Sequence, residues 1–127
     1  MEREAFEALA EKALSEIPEE LLSRVENVVV LVEDWPDRET LDSLGYQRRS
    51  ELLGLYQGIP LDARHVGLTG NLPDRIVLYQ RSLERYATLF GLDLEDTIYE
   101  TILHEMGHYL GLDDEELHRL ESGEHRG

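Results

Sequence analysis

A long two-faced helix is the strongest structural constraint in this sequence. Between Asp93 and Gly111, apolar side chains recur at helical spacing: Ile98, Tyr99, Ile102, Leu103, Met106, Tyr109 and Leu110. On a helical wheel of about 100° per residue they occupy an arc of roughly 0–140° measured from Ile98. Asp93 can cap the start of this helix, and Gly111 can end it in the left-handed conformation. The chain must therefore fold so that the apolar arc is buried.

The opposite side of the same helix carries two histidines. His104 and His108 fall at about 240° and about 280° on the wheel, one helical turn apart along the axis. Both imidazoles can therefore reach one metal ion, and neither faces the core. Glu105, at about 340°, lies between the two sides. The alternative interpretation is that His104 and His108 are ordinary surface histidines.

Residues 104–108 form the pattern H-E-x-x-H. The residues that follow extend it to H-E-x-x-H-x-x-G-x-x-D, which ends at Asp114. The glycine, Gly111, predicts a turn that returns the chain beneath the helix, so that Asp114 can supply a third ligand. Asp113 and His118 are the competing third ligands. Asp113 can also form a capping box with Glu116 at the start of the next helix. The two functions are compatible if Asp113 caps and Asp114 ligates.

This set of side chains has the composition of a catalytic zinc site. Two histidines and one aspartate leave a fourth coordination position open for water, which distinguishes catalytic from structural zinc. Glu105 can approach the metal-bound water without ligating the metal. It would take a proton as the water attacks a carbonyl and then deliver it to the leaving amine. We therefore expect one zinc ion on His104, His108 and Asp114, with Glu105 as the catalytic base.

The rest of the chain predicts an α+β fold in a single domain spanning residues 1–127. Helical patterns cover residues 2–16, 18–26, 82–90 and 115–120. Strand patterns cover residues 28–32, 52–57 and 75–80. Weaker patterns predict one helical turn in a loop at 38–51, a loop at 61–74 and a frayed tail at 118–127. Because the helices precede and follow the strands rather than alternating with them, α+β is favoured over βαβ units.

Three local features carry specific expectations. Residues 28–32 are β-branched or apolar throughout, which predicts a buried strand. Ser82 is expected to cap the helix that Gly91 ends. Gly107 costs about 1 kcal/mol in a helix interior relative to alanine, so we expect another backbone to approach it closely.

The composition excludes several classes of site and partner. Twenty-eight acidic residues oppose twelve basic ones, and a net charge of −16 repels phosphate backbones, so nucleic acid is not an expected partner. The lack of cysteine excludes disulfides, zinc–thiolate sites and thiol nucleophiles. The longest apolar run, residues 28–32, is too short to cross a membrane, and the charged N-terminus is unlike a signal peptide. We expect a cytoplasmic protein of bacterial type, without a membrane partner.

The metal motif resembles that of the zincin metallopeptidases. Its H-E-x-G-H-x-x-G stretch is similar to the metzincins, which carry a third histidine where this chain has Asp114. An aspartate at that position resembles the Asp-zincins. Metzincins also have a Met-turn after the ligands, whereas the only methionines here are Met1 and Met106. More of the chain resembles the mini-zincin family of small bacterial zinc peptidases, through residues 28–36, 52–61 and 73–79.

The mini-zincin resemblance implies a minimal zincin fold. A small twisted sheet of about three to four strands would pack on the active-site helix, with helices at the N-terminus. An edge strand beside the cleft would hold an extended peptide, and residues 75–80 are the expected edge strand. The function implied is zinc-dependent hydrolysis of a peptide or protein substrate, with Glu105 activating the metal-bound water.

Two other functions compete with this one. A non-catalytic module would keep the metal site, or only its sequence, and bind a protein partner. A zinc nuclease would need to attract phosphate, and both Glu105 and the charge of −16 argue against it.

The sequence does not single out an oxyanion-stabilising residue. The candidates are Tyr79, Tyr99, Tyr109 and Arg75. Thr101, one turn before His104, is a candidate for a supporting hydrogen bond to the metal ligands. His65 and His125 are expected to be uninvolved.

Overall fold

A computed structural model describes residues 1–25, 27–58 and 73–121. This part of the chain contains six α-helices: α1 (Arg3–Ser15), α2 (Glu19–Leu22), α3 (Arg38–Leu44), α4 (Gln80–Phe90), α5 (Leu94–Tyr109) and α6 (Asp114–Glu121). It also contains three strands, β1 (Val28–Glu33), β2 (Gly54–Gln57) and β3 (Asp74–Tyr79), and a 3₁₀ turn (Arg49–Glu51). The α+β class expected from the sequence is confirmed.

The three strands form one mixed sheet in the order β1-β3-β2. The central strand β3 runs parallel to β1 and antiparallel to β2. The prediction that residues 75–80 form an edge strand is therefore wrong. Ile76, Val77, Leu78 and Tyr79 are all buried, because a central strand of this sheet is covered on both faces. The edge strand that lies beside α5 is β2.

Strand β1 is less buried than its sequence indicates. Its side chains alternate between half-buried and exposed, and Val29 and Leu31 are 37% and 40% exposed. β1 lies at the other edge of the sheet, where only one face is packed against helices. A run of apolar side chains can therefore form a strand that is buried on one face only.

Helices α1 and α5 pack on one face of the sheet and build the main core. This core joins side chains from α1, β3, α5 and α6: Phe6, Ala10, Ala13, Ile76, Leu78, Ile98, Ile102, Leu103, Met106, Leu117 and Leu120. A second, smaller cluster lies on the other face of β3 and contains Leu41, Leu52, Val77 and Tyr79. Of the predicted apolar arc of α5, Ile98, Ile102, Leu103 and Met106 are buried in the main core. Tyr99 and Leu110 pack partly buried against it, and Tyr109 is 49% exposed.

Two helices begin or extend differently from the sequence patterns. Helix α4 starts at Gln80, directly after β3, so Ser82 is not its cap. The Ser82 hydroxyl instead donates to the Arg49 carbonyl oxygen at 3.0 Å. At the C-terminal end, α6 confirms the helix predicted for residues 115–120 and continues to Glu121, so residues 118–121 of the predicted tail are helical. Residues 122–127 lie outside the described part of the chain.

The segment 38–51 holds more regular structure than one helical turn. Asp37 caps α3 by accepting a hydrogen bond from the Thr40 N–H at 2.7 Å. Gly45 ends the helix in the left-handed conformation, at φ 81°. Both signals are local and were present in the sequence. The predicted loop at 61–74 mostly falls on residues 59–72, which lie outside the described residues.

Two glycines set how closely α5 is approached by its neighbours. A Cβ on Gly107 would lie 2.5 Å from both Leu117 methyl groups, so the close neighbour is a side chain of α6 rather than a backbone as expected. A Cβ on Gly54 would lie 2.9 Å from the Thr101 methyl group. The two glycines therefore let α6 and β2 pack tightly against the helix that carries the histidines.

Candidate metal centre

The two histidines project from the exposed side of α5. The His104 and His108 side chains are 41% and 59% exposed, and their ring centroids lie 6.1 Å apart. The opposite side of the helix, with Ile102 and Met106, is completely buried. Core packing therefore fixes the orientation of α5, and the spacing of four residues then places both imidazoles on the solvent side.

The chain reverses direction at the end of α5, as the sequence predicts. Gly111 adopts the left-handed conformation at φ 80°. The Leu112 N–H then donates to the Gly107 carbonyl oxygen at 2.9 Å, which closes the helix end. Helix α6 begins at Asp114, three residues after the glycine, and packs on α5 through Leu117.

Asp113 and Asp114 have different positions at the start of α6. The Asp113 carboxylate accepts the Glu116 N–H at 2.8 Å, and the Glu116 carboxylate accepts the Asp113 N–H at 3.2 Å. This reciprocal pair is the expected capping box. Asp114 makes no part of it, and its side chain is 82% exposed.

The Asp114 carboxylate faces both imidazoles. Its Oδ1 atom lies 3.7 Å from Nε2 of His108 and 4.0 Å from Nε2 of His104. The three side chains therefore face one another, and their convergence on one metal ion stays a prediction. No corresponding contact joins His118 to the pair among the described residues.

The donor set fits a zinc ion in chemistry, although the three side chains are spread wider than bound ligands. Two ligand atoms on tetrahedral zinc lie about 3.3 Å apart, given metal–ligand bonds of about 2.0 Å. Across residues 1–25, 27–58 and 73–121, no three histidine or carboxylate side chains already lie at ligating distances. All three side chains are at least two-fifths exposed, so small rotations can close the gap without disturbing the core.

A backbone contact orients the His104 ring. Its Nδ1 lies 3.0 Å from the Glu100 carbonyl oxygen. Since a carbonyl oxygen only accepts, Nδ1 carries the proton, and the lone pair of the neutral ring is on Nε2. Nε2 is the atom that faces Asp114. This arrangement prepares His104 to bind a metal through Nε2.

Glu105 lies at the boundary between the exposed side of α5 and the core. Its carboxylate is half-buried and accepts a hydrogen bond from the Tyr56 N–H of β2 at 3.3 Å. Burial raises the pKa of Glu105, while the Tyr56 N–H and the neighbouring His108 and His104 partly offset that rise. A raised pKa makes a carboxylate a better proton acceptor, which suits Glu105 to accept and return a proton.

A second carboxylic acid beside the histidines was missed by sequence reasoning. Burial, a hydrogen bond with Glu121 and the charges of Glu121 and Asp96 raise the pKa of Glu100 to about 7. Glu100 precedes His104 by one helical turn, so its proximity to the histidine was readable from the spacing. Its pairing with Glu121 of α6 was not, because it depends on how α6 packs on α5.

Tyr56 is the other contributor that sequence reasoning missed. Its ring stacks on Tyr109 with centroids 4.0 Å apart, and its hydroxyl donates to Asp74 at 2.7 Å. The ring stack holds β2 against α5 at the level where the Tyr56 N–H meets Glu105, and the hydroxyl contact joins β2 to β3. No local pattern in the sequence indicates this contact.

The candidate oxyanion residues are placed differently around the sheet. Tyr79 lies on the face of β3 opposite α5, and burial with nearby Glu33 and Asp37 raises its pKa to about 12. Tyr99 packs against the main core, where burial raises its pKa. Arg75 is exposed on β3. Tyr109 is the candidate that contacts β2 beside Glu105.

Thr101 does not support a metal ligand. Its hydroxyl donates to the Thr97 carbonyl oxygen at 2.8 Å within the helix. His65 and His125 lie outside the described residues, so their expected lack of involvement stays a prediction.

A cavity of about 510 Å³ opens beside His104 and Glu105. It extends along α5 toward the helix start at Asp93 and is bounded on the other side by residues 51–54. In the described residues, no helix is both long enough and apolar enough to span a membrane.

Comparison with known proteins identifies the family of this chain and a solved structure of similar fold. Residues 25–124 match the family described as zincin-like metallopeptidase. A solved structure of a conserved hypothetical protein from a strain of T. thermophilus superposes with a TM-score of 0.54 at 31% identity, covering 87% of this chain and 94% of that one. No curated protein matches the chain. Since the family match covers most of the sequence and includes the two histidines, the chain belongs to the zincin-like metallopeptidase family.

Proposed function

We propose that this protein is a zinc-dependent peptidase. His104, His108 and Asp114 hold the zinc ion, and Glu105 is the catalytic base. The observation that carries the proposal is the position of Asp114, whose Oδ1 faces Nε2 of both histidines within 4.0 Å. The half-buried Glu105 carboxylate lies on the same helix, next to His104 in sequence. Family membership supports the same assignment.

The protein side chains divide the chemistry between them. Bound zinc supplies a Lewis acid that polarises a carbonyl and activates water. Glu105 accepts a proton from the attacking water and transfers it to the leaving amine nitrogen. The raised pKa of Glu105 favours the first transfer, because a more basic carboxylate accepts a proton more readily. The Tyr56 N–H holds the Glu105 carboxylate in place.

The position of β2 favours an extended peptide as substrate. Among the described strands β2 lies at an edge of the sheet, and its Tyr56 N–H points toward Glu105 rather than toward β3. A peptide laid along such an edge would bring a backbone carbonyl close to the candidate metal centre. β2 is thus the proposed peptide-binding strand, in place of residues 75–80, to which the sequence analysis assigned that role.

Replacement of one oxygen of Glu105 tests the proposal. Glu105→Gln keeps the size of the side chain but cannot accept a proton, so peptide cleavage should fall about 10²–10⁴-fold while zinc stays bound. The measurement is turnover of a quenched-peptide library, with zinc quantified by atomic emission. Glu95→Gln is the matched control, since Glu95 lies on the same helix and pairs with Lys12 away from the centre.

The outcomes separate the proposal from its main competitor. Cleavage that survives Glu105→Gln undiminished would remove Glu105 from the mechanism. Zinc bound by the wild-type protein, with no library peptide cleaved, would favour a non-catalytic module that binds metal or a protein partner.

A further inference from the structure

The cavity beside the candidate centre has mostly apolar walls. Leu53, Tyr86 and Leu92 line it, and it opens at one end onto His104 and Glu105. Its volume of about 510 Å³ is far larger than one water molecule and lies in the range of pockets that enclose small ligands. The cavity can therefore take a whole side chain of a bound peptide.

Apart from His104 and two tyrosines, the ionisable side chains of the cavity lining are carboxyl groups. The lining contains the five carboxyl groups of Glu51, Asp93, Asp96, Glu100 and Glu105, of which Glu100 is hydrogen-bonded to Glu121, and no lysine or arginine from the described residues. Such a lining gives the cavity a negative potential, which apolar walls strengthen by excluding water. A guest of opposite charge is favoured.

Three of these five carboxylates, including Glu105, already accept hydrogen bonds from backbone N–H groups. Glu51 accepts the Arg48 N–H at 2.8 Å, and Asp93 accepts the Asp96 N–H at 3.0 Å. Asp96 differs, because its own carboxylate is exposed and forms no ion pair with a described lysine or arginine. It is the carboxylate in this cavity best placed to receive a cation from outside.

The length of the cavity favours a long guest. Asp96 precedes Glu105 by nine residues, about 13 Å along the helix axis, with Glu100 between them. A side chain that starts at the scissile bond near Glu105 must therefore be extended to approach Asp96. Arginine and lysine have this form, with an apolar stem for the leucine walls and a charged head for the carboxylates.

We propose that this cavity is the specificity pocket for an arginine or lysine side chain adjoining the scissile bond. The inference rests on the proposed peptidase function. The stem packs along Leu53 and Leu92, and the cation lies against Asp96.

The test measures binding apart from cleavage. Full-length Glu105→Gln protein loaded with zinc is titrated with N-acetyl-arginine amide and with N-acetyl-citrulline amide, followed by NMR. Citrulline has the shape of arginine without its charge. Arginine amide should bind about tenfold tighter than citrulline amide, with shifts centred on Leu53, Tyr86 and Thr97.

Substitution of Asp96 then assigns the preference to the pocket. Adding Asp96→Asn should reduce the arginine-to-citrulline ratio to about twofold, whereas Glu95→Gln, which removes the same charge one residue away, should keep it. Equal affinity for the two amides, no binding of either, or a ratio unchanged by Asp96→Asn would overturn the pocket assignment.

Cleavage by the wild-type protein distinguishes this inference from the proposed function. If zinc-loaded wild-type protein cleaves no peptide but the arginine preference is measured, the pocket stands and the peptidase proposal fails. If peptides are cleaved equally well with arginine or citrulline at either side of the cleaved bond, the function stands and the pocket inference fails.

Discussion

The two sides of helix α5 differ sharply in how deeply their side chains are buried. On one side, Ile98, Ile102 and Met106 are completely buried in the main core. On the other, the His104 and His108 side chains are about half exposed, and Asp114 on α6 is 82% exposed. The buried side chains therefore supply most of what α5 contributes to the stability of the fold. The exposed side chains include the candidate metal ligands. It follows that the site can be altered with little loss of stability.

Shortening a core side chain on α5 should have the largest effect. Ile102→Ala removes buried methyl groups and leaves a cavity, so the free energy of unfolding should fall by about 3 kcal/mol. Urea denaturation of metal-free protein measures this change. His108→Ala, on the opposite side, should cost less than about 0.5 kcal/mol. Similar losses for the two variants would contradict the division of the helix.

A substitution between the two sides should affect both stability and metal binding. In Gly107→Ala the new methyl group meets Leu117, and overpacking outweighs the gain in helix propensity, for a net loss of about 1 kcal/mol. Because α6 packs on α5 through Leu117, a shift of Leu117 should also move Asp114, and the affinity for zinc should fall. Isothermal titration with zinc checks this, and an unchanged affinity would show that the Asp114 position does not depend on this contact.

The two neighbouring aspartates should give opposite results. Asp113→Ala removes the helix cap and should lower stability by about 1 kcal/mol, with zinc retained. Asp114→Ala should lose zinc binding, yet change the stability of metal-free protein by less than about 0.5 kcal/mol. Denaturation and zinc titration of both variants provide the comparison. Zinc loss in Asp113→Ala alone would reverse the ligand assignment.

The smallest effect concerns pH. The pKa of Glu100 is raised to about 7, so the folded protein holds a proton that the unfolded chain releases between its ordinary pKa and pH 7. Stability should therefore fall as pH rises through that window. Glu100→Gln should remove this decline, with a gain at pH 8 of under about 1 kcal/mol after solvent screening. Denaturation of the metal-free wild-type and Glu100→Gln proteins at pH 4 and pH 8 tests this prediction. An equal loss of stability between the two pH values in both proteins would contradict it.

Local signals predicted much of the candidate centre. The spacing of His104 and His108, the reversal at Gly111 and the Asp113 capping box all depend on residues within one or two helical turns. Such features follow from helix geometry and from backbone hydrogen bonds of neighbouring residues. They could be read from the sequence for that reason, and the structure agrees with each of them.

Contacts between distant segments were not predictable in the same way. Apolar strand patterns do not say which strand is central, so β3 was mistaken for an edge strand and β1 for a fully buried one. The hydrogen bond from Tyr56 to Glu105 joins residues 49 positions apart. The pairing of Glu100 with Glu121 likewise depends on the seating of α6.

The sequence by itself determined the two-faced helix, the choice of candidate ligands and of a candidate base, and the bend that brings Asp114 back. Each of these depends on periodicity and local backbone geometry, which short segments specify. Only the tertiary structure decided that β2 is the strand beside Glu105, that Gly107 seats α6 through Leu117, and that an acidic cavity adjoins the centre. These features arise because packing brings together side chains that no local pattern relates.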